Sequence, residues 1–243
     1  MQTLTPSALL ELWERGARLH PIDRALLILD RACAGQPGHA ALVELPLGQR
    51  DRLLLEAHRH CFGDALDAFA RCPNCQEGVE LAFSCSRLLN AAVDCAHATS
   101  TLLIQGHALD LRCPNSADLA AAASCVDVAA ARKLLLARCA ARATGVGPPI
   151  ELLPEPIQSE IAAALANLDP HAETWLALSC PACGHAWRIV FEIATFVWTQ
   201  VRTRARRLLQ DVDVLARTYG WREADVLGLS EVRRAQYVEM AVS

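Results

Sequence analysis

Two short stretches constrain this chain more than anything else in it: Cys72-Pro73-Asn74-Cys75 and Cys180-Pro181-Ala182-Cys183. Each is a C-P-x-C turn, the spacing at which two thiolates from one tight loop reach the same tetrahedral zinc ion. The residues after each turn match as well. An offset of 108 residues (Cys72 to Cys180) places Val79 on Trp187, Leu81 on Ile189, Phe83 on Phe191, Cys85 on Ile193 and Leu88 on Phe196. Apolar residues alternate after both turns, which is strand periodicity. Each copy reads as half of a zinc ribbon, a knuckle leading into a strand. Together Cys72, Cys75, Cys180 and Cys183 supply four sulfurs, a closed structural Zn2+ shell with no position open to a substrate.

A compact ribbon carries its Cys pairs roughly 15–20 residues apart, whereas here residues 76–179 lie between them. Loop-closure entropy grows only logarithmically with length, so an insertion that folds by itself is tolerable. The pairs also admit readings as redox dithiols, structural disulfides or an emptied, vestigial site. A dithiol site lacks its βαβ context here. Disulfides require an oxidising compartment, yet the cysteines number eleven, an odd count, and Glu11, Glu14 and Arg15 interrupt the opening apolar pattern, unlike a secretory signal. The expected compartment is a reducing cytoplasm. Cys33, Cys61, Cys85, Cys95, Cys113, Cys125 and Cys139 are then small apolar residues, buried or half-buried. His185, two residues after Cys183, is expected as a neighbour of the complete quartet rather than a ligand.

With 243 residues and 53% hydrophobic but only 5% aromatic content, the chain is Ala- and Leu-rich, which favours helices. The fold class expected is α+β: mainly α-helical, with a split zinc ribbon of short antiparallel strands and a helical insertion between the knuckles. Residues 1–65 read as a helical unit. Residues 66–90 with 172–196 form the split ribbon, 91–171 an inserted hairpin and helices, and 197–243 a long helix followed by short ones.

Within these units, Thr5-Pro6-Ser7 caps a first helix that His20-Pro21 ends, and residues 23–33 form a second. Leu47 opens a third, with Leu53, Leu54, Ala57 and Cys61 inward and Gly63-Asp64 as its stop. His58, His60 and Cys61 cluster in sequence, but residues two apart point to different faces of a helix, so a solvated helix end is expected. Residues 88–92 read as irregular. A hairpin joins 101–104 to 108–111, Asn115 or Ser116 caps a helix from Asp118, and residues 127–142 form an amphipathic helix. Residues 145–149 read as a linker, and 156–168 as a helix. From Glu192 a long helix shows an apolar stripe from Ile193 to Tyr219, stopped by Gly220. Most of Arg202, Arg204, Arg206 and Arg207 lie on its polar side facing Asp211 and Asp213, so a solvated or partner-facing surface is expected rather than a phosphate track.

A first Arg-Cys-Pro-x-Cys knuckle is thus paired with a later Ala-Leu-x-Cys-Pro-x-Cys-Gly-His-x-Trp. The closing helices carry Leu208-Leu209, Leu215-Ala216, Tyr219-Gly220-Trp221, Leu229-Ser230 and Arg233-Arg234-x-x-Tyr237. With Leu12-Trp13-Glu14-Arg15-Gly16, Arg112-x-Pro114 before Asp118-Leu119, and Asp169-Pro170, the chain resembles the small baseplate proteins of bacteriophage tails and contractile injection systems, related to T4-type baseplate hub assembly chaperones. The resemblance covers nearly the whole chain. It departs at Gln76-Glu77-Gly78, where Cys-Gly would be usual. It implies a non-enzymatic role in building or completing a baseplate or hub, with hub or baseplate subunits as partners. The implied setting is the bacterial cytoplasm during assembly, or the finished particle.

Two other function classes stand beside it. A zinc-ribbon nucleic-acid binder needs a basic face with aromatics placed for stacking. A net charge of −4 and the scattered Trp13, Trp175, Trp187, Trp198 and Trp221 argue against one. A hydrolytic zinc enzyme needs three protein ligands and a water, for which His185 beside Glu192 is the best available set. Neither a membrane partner nor a small-molecule substrate is expected.

Overall fold

The computed structural model describes residues 1–91, 99–143, 145 and 147–242. Cys95, Ala92 at the end of the stretch expected to be irregular, and Val146 inside the expected linker lie outside the described residues. The class is α+β, mainly helical, with small antiparallel sheets.

Helix α1 (Pro6–Gly16) begins where Thr5 Oγ1 accepts the Ala8 N–H, with Pro6 in the first turn, where its missing donor costs nothing. It ends at Gly16, over which the Trp198 ring lies so closely that any Cβ would collide with it. His20-Pro21 opens helix α2 (Pro21–Ala32) rather than closing α1, for the same first-turn reason. A short helix α3 (His39–Glu44) was not legible in the sequence pattern. Helix α4 (Leu47–Phe62) stops at Gly63, whose φ of 98° suits only glycine. Strands β1 (Ala65–Arg71) and β2 (Gly78–Ser84) form the hairpin that carries the first cysteine pair. It runs into helix α5 (Cys85–Ala91), so residues 88–91 are helical instead of irregular.

Strands β3 (Thr99–Ile104) and β4 (His107–Arg112) pair as expected, and helix α6 (Ser116–Ala123) follows. Asn115 is its cap, in a reciprocal box with Asp118. Helix α7 (Val128–Cys139) ends three residues short of the expected 142, because Ala140–Arg142 becomes strand β5 and pairs with β4. Its buried residues are Leu136 and Cys139, while Val128 is exposed. A single 3-10 turn (Ile150–Leu152) leads to helix α8 (Glu155–Leu168). Strands β6 (Trp175–Ser179) and β7 (Ala186–Val190) carry the second cysteine pair. Helix α9 (Ile193–Tyr219) is closed by Gly220 in the left-handed conformation, and α10 (Glu223–Leu227) and α11 (Glu231–Val242) pack back along it. No helix among the described residues is long and apolar enough to cross a membrane.

The offset of 108 reaches well beyond the knuckles. It carries α4 onto α8, α2 onto α7, and the starts of α5 and α9 onto one another at Cys85 and Ile193. Pro46 and Pro154 both precede the third helix of their half and accept equivalent bonds, from Arg50 N (2.9 Å) and Gln158 N (3.1 Å). The chain passes twice through one order of elements, helix, helix, helical turn, helix, hairpin, helix, with the β3–β4–β5 sheet bridging the two passes. What differs is the last helix. α5 has 7 residues and α9 has 27; α9 crosses to the first half, where its added turns bring Ala205 and Leu208 to Leu9 and Leu10 of α1.

There the apolar side of α9 completes a core with α1, α2 and α4: Val197, Trp198 and Val201 meet Leu12, Leu26, Leu29 and Leu54. A second core joins α7 and α8 to the bridging sheet through Leu109, Leu111, Leu136 and Ile161. Asp169 ties the halves together, its carboxylate accepting the Gly48 N–H at 2.8 Å inside the first turn of α4, where an anion is favoured.

His58 does not lie at a solvated helix end as its neighbours suggested. It is 2% exposed, its ring packs against Phe62 and Phe196, and its Nδ1 lies 3.4 Å from Cys85 Sγ. His60 is exposed and Cys61 points at the Gln2 carbonyl, so the three side chains diverge. Burial holds the His58 pKa below its ordinary value, against the Gly63 carbonyl and the Asp64 charge, which raise it. The unfolded chain therefore takes up this proton first, and the stability present above about pH 6.5 is lost as pH falls toward the folded-state pKa. The urea midpoint is expected to drop between pH 7.5 and pH 5.5, and the drop should be smaller in His58→Gln.

Candidate metal centre

The two hairpins present their cysteines in matching ways. Arg71 pairs with Gly78 across the first and Ser179 with Ala186 across the second, one residue outside each C-P-x-C turn. Inside the turns Cys72 N donates to Glu77 O and Gln76 N to Cys72 O. Cys180 N donates to His185 O and Gly184 N to Cys180 O, all four at 2.9 Å. These bonds force a left-handed residue after the second cysteine, at φ 63° for Gln76 and 71° for Gly184. The departure at Gln76 is thus a change of residue and not of backbone. A Cβ at Gly184 would meet nothing within 4 Å, so Gly184→Ala should cost only the backbone penalty, about 1 kcal/mol, measured as a small fall in Tm.

Each knuckle contributes one inner and one outer sulfur. Cys72 and Cys180 are buried, Cys75 and Cys183 exposed. Inner meets outer across the halves: Cys72 Sγ lies 3.7 Å from Cys183 Sγ and Cys75 Sγ 3.5 Å from Cys180 Sγ. All four sulfurs lie within 4.8 Å of one another. A tetrahedron of sulfurs about 2.3 Å from a zinc ion has edges of about 3.8 Å, so the donor set and its spacing are compatible with zinc. Among the described residues no other group of three or more His, Cys, Asp or Glu side chains converges in this way. The crossed contacts obey the approximate two-fold relation between the halves. So does the edge-on pair of Phe83 and Phe191, equivalent residues at the hairpin ends away from the cysteine turns, with ring centroids 5.0 Å apart.

The two outer thiols, Cys183 and Cys75, hold their protons unequally. Cys183 is drawn down to about 6, first by the His185 backbone N–H and then by the Asn74 amide, whose Nδ2 lies 3.6 Å from its sulfur. Cys75 has the equivalent bond from Glu77, which lowers it most, yet the neighbouring sulfurs together with desolvation push it up to about 12. A thiolate is thus already favoured, and a metal ion would displace the remaining protons.

The other residues singled out by sequence lie elsewhere. The His185 ring stacks on Trp187, with centroids 6.0 Å apart, and is outside the converging set. Glu192 accepts the Thr195 hydroxyl at the start of α9. Of the tryptophans, Trp198 is buried under Arg24, Trp221 packs with Tyr219 and Tyr237, and Trp175 lies beneath Arg188. The remaining cysteines within the described residues are buried or half-buried and in no disulfide. The sequence reading missed the buried Asp118. Its carboxylate accepts two bonds from Arg112 (2.6 and 2.9 Å), one from Arg138 (2.6 Å) and the Asn115 N–H (3.0 Å). The clue was Arg112 and Asp118 flanking the Pro114-Asn115 turn.

No protein-family model, curated protein or solved structure matches the chain.

Proposed function

We propose that this chain is a non-enzymatic assembly protein for the baseplate or hub of a contractile, phage-tail-like particle, held in shape by a structural zinc ion. Cys72, Cys75, Cys180 and Cys183 are the ligands, and the ion closes a split zinc ribbon from two distant hairpins. The observation that carries the structural part is the completeness of the quartet. Four sulfurs spaced as tetrahedral edges leave no coordination position for water or substrate, which is how structural zinc differs from catalytic zinc. Support for the baseplate part comes from the residue patterns at both knuckles and along α9–α11. Other residues of the same resemblance have packing roles of their own: Gly16 under Trp198, Asp169 on Gly48, Asp118 between two arginines. Assembly in the bacterial cytoplasm, with or without retention in the particle, fits a cysteine quartet whose outer members, Cys75 and Cys183, are exposed and must stay reduced to hold a metal.

The test is co-expression with baseplate and hub subunits of a contractile tail, followed by native mass spectrometry. A complex containing this chain and one such subunit is expected. Particles that assemble to full yield when the chain is deleted would overturn the role.

A further inference from the structure

The groove between α9 and α11 carries a second inference, independent of the metal centre. It measures about 550 Å3 and is lined by Arg206, Arg207, Gln210, Asp211, Val214 and Val238, with the Asp211 carboxylate already paired to Arg234. Arg204 is paired with Glu231, Arg234 with Asp211 at 2.9 Å, and Arg217 with Asp213 at 2.9 Å. The expected acidic partners of Arg206 and Arg207 are therefore taken by other arginines. Among the described residues the side chains of Arg206 and Arg207, and of exposed Arg202 one turn earlier, have no hydrogen bond or ion pair. In a chain of net charge −4, three adjacent unpaired arginines on one helix face are a local excess the fold does not use.

We propose that this groove docks an acidic segment of a partner protein, with carboxylates on Arg206 and Arg207 and an apolar side chain on Val214 and Val238. Charge complementarity selects the acidic character, and guanidinium forks suit carboxylates bidentately. The surroundings favour a short peptide segment over a nucleic-acid strand. The adjoining cleft sets Asp211, Glu231 and Glu239 against Arg204, Arg207 and Arg234, so a phosphate backbone leaving the groove on that side would meet no net positive charge. The apolar floor also offers nothing to a phosphate.

The experiment is fluorescence anisotropy on the full chain with its metal bound. The probe is a labelled helical peptide bearing glutamates one turn apart with leucines beside them, and its lysine counterpart and a single-stranded oligonucleotide are run in parallel. The acidic peptide is expected to bind, more weakly at high salt, with affinity reduced about tenfold or more in the Arg206→Glu/Arg207→Glu variant. Because neither arginine has a partner to lose, circular dichroism and metal content should be unchanged in that variant, and Val238→Asp provides a second disruption of the groove. Three results would each overturn the proposal: no binding of the acidic peptide, equal or tighter binding of the oligonucleotide, or self-association in sedimentation that the charge reversal abolishes.

Discussion

Cys72→Ser and Cys180→Ser should each strip the metal from the chain and unfold it. The inner sulfurs are 0% and 2% exposed and hold the hearts of the two knuckles. A structural zinc site binds with about 10–16 kcal/mol of apparent free energy, and in such sites binding energy is folding energy. The net stability of a domain is about 5–15 kcal/mol, so most of the margin disappears with either ligand. Loss of the far-UV melting transition, together with loss of metal by elemental analysis, is the expected readout. Cys33→Ser, at a half-buried thiol far from the cluster in the fold, should keep the metal and cost no more than about 1 kcal/mol. If all three variants melted alike, the ligand assignment would be wrong.

Asp118→Asn should be the most damaging change outside the metal centre. The Asp118 side chain is fully buried, and it is the common acceptor for Arg112, Arg138 and the Asn115 N–H. An amide of the same shape keeps the volume but leaves two guanidinium groups facing a group that no longer neutralises them. Breaking a buried ion pair on one side costs about 3–5 kcal/mol. The lower end is expected here, because the Arg112 and Arg138 side chains are 37% and 40% exposed and can turn toward water. Urea unfolding at neutral pH measures the loss directly. The pH dependence has a defined sign. Burial alone would raise the carboxyl pKa, but the bonds from Arg112, Arg138 and Asn115 outweigh it and hold the group far below the usual carboxylate range. The stability it contributes is complete above the unfolded value near pH 4 and is lost only as pH falls below that toward the folded value. The variant should therefore lack part of the wild-type acid transition below about pH 4, a window separate from the one set by His58.

Much of this architecture was legible from residue types alone, for reasons that differ by element. The knuckles were readable because C-P-x-C turns and alternating strands are local signals. The Asn115 cap and the Gly63 and Gly220 stops were readable because each residue answers a backbone requirement within one turn. The equivalence of α4 with α8 was not. Only Leu45-Pro46 and Leu153-Pro154 survive as matching residues around their starts, and the rest of each helix needs only apolar side chains in roughly the right places. Strand β5 was hidden because the Ala-rich run through Cys139 and Ala140 continues a helical pattern. Pairing with β4, a tertiary event, decides against that pattern. The burial of His58 was unreadable for a related reason: Phe196, which covers it, comes from the second half of the chain. The same holds for the arginines of α9. Sequence neighbours Asp211 and Asp213 suggested neutralisation, but α11 and a later turn of α9 supplied competing guanidinium groups. The candidate metal centre was legible as four residues, while the crossed inner-to-outer arrangement of its sulfurs required the two-fold packing of the hairpins.

The central claim is that two hairpins distant in sequence close one zinc site. Zinc K-edge X-ray absorption on protein purified without a tag tests it most directly. The account predicts one zinc per chain with a first shell of four sulfurs at about 2.3 Å, reduced to fewer sulfurs or no metal when either cysteine pair is replaced. A shell containing nitrogen or oxygen in the wild-type protein, or four cysteines that titrate freely with no metal bound, would contradict it.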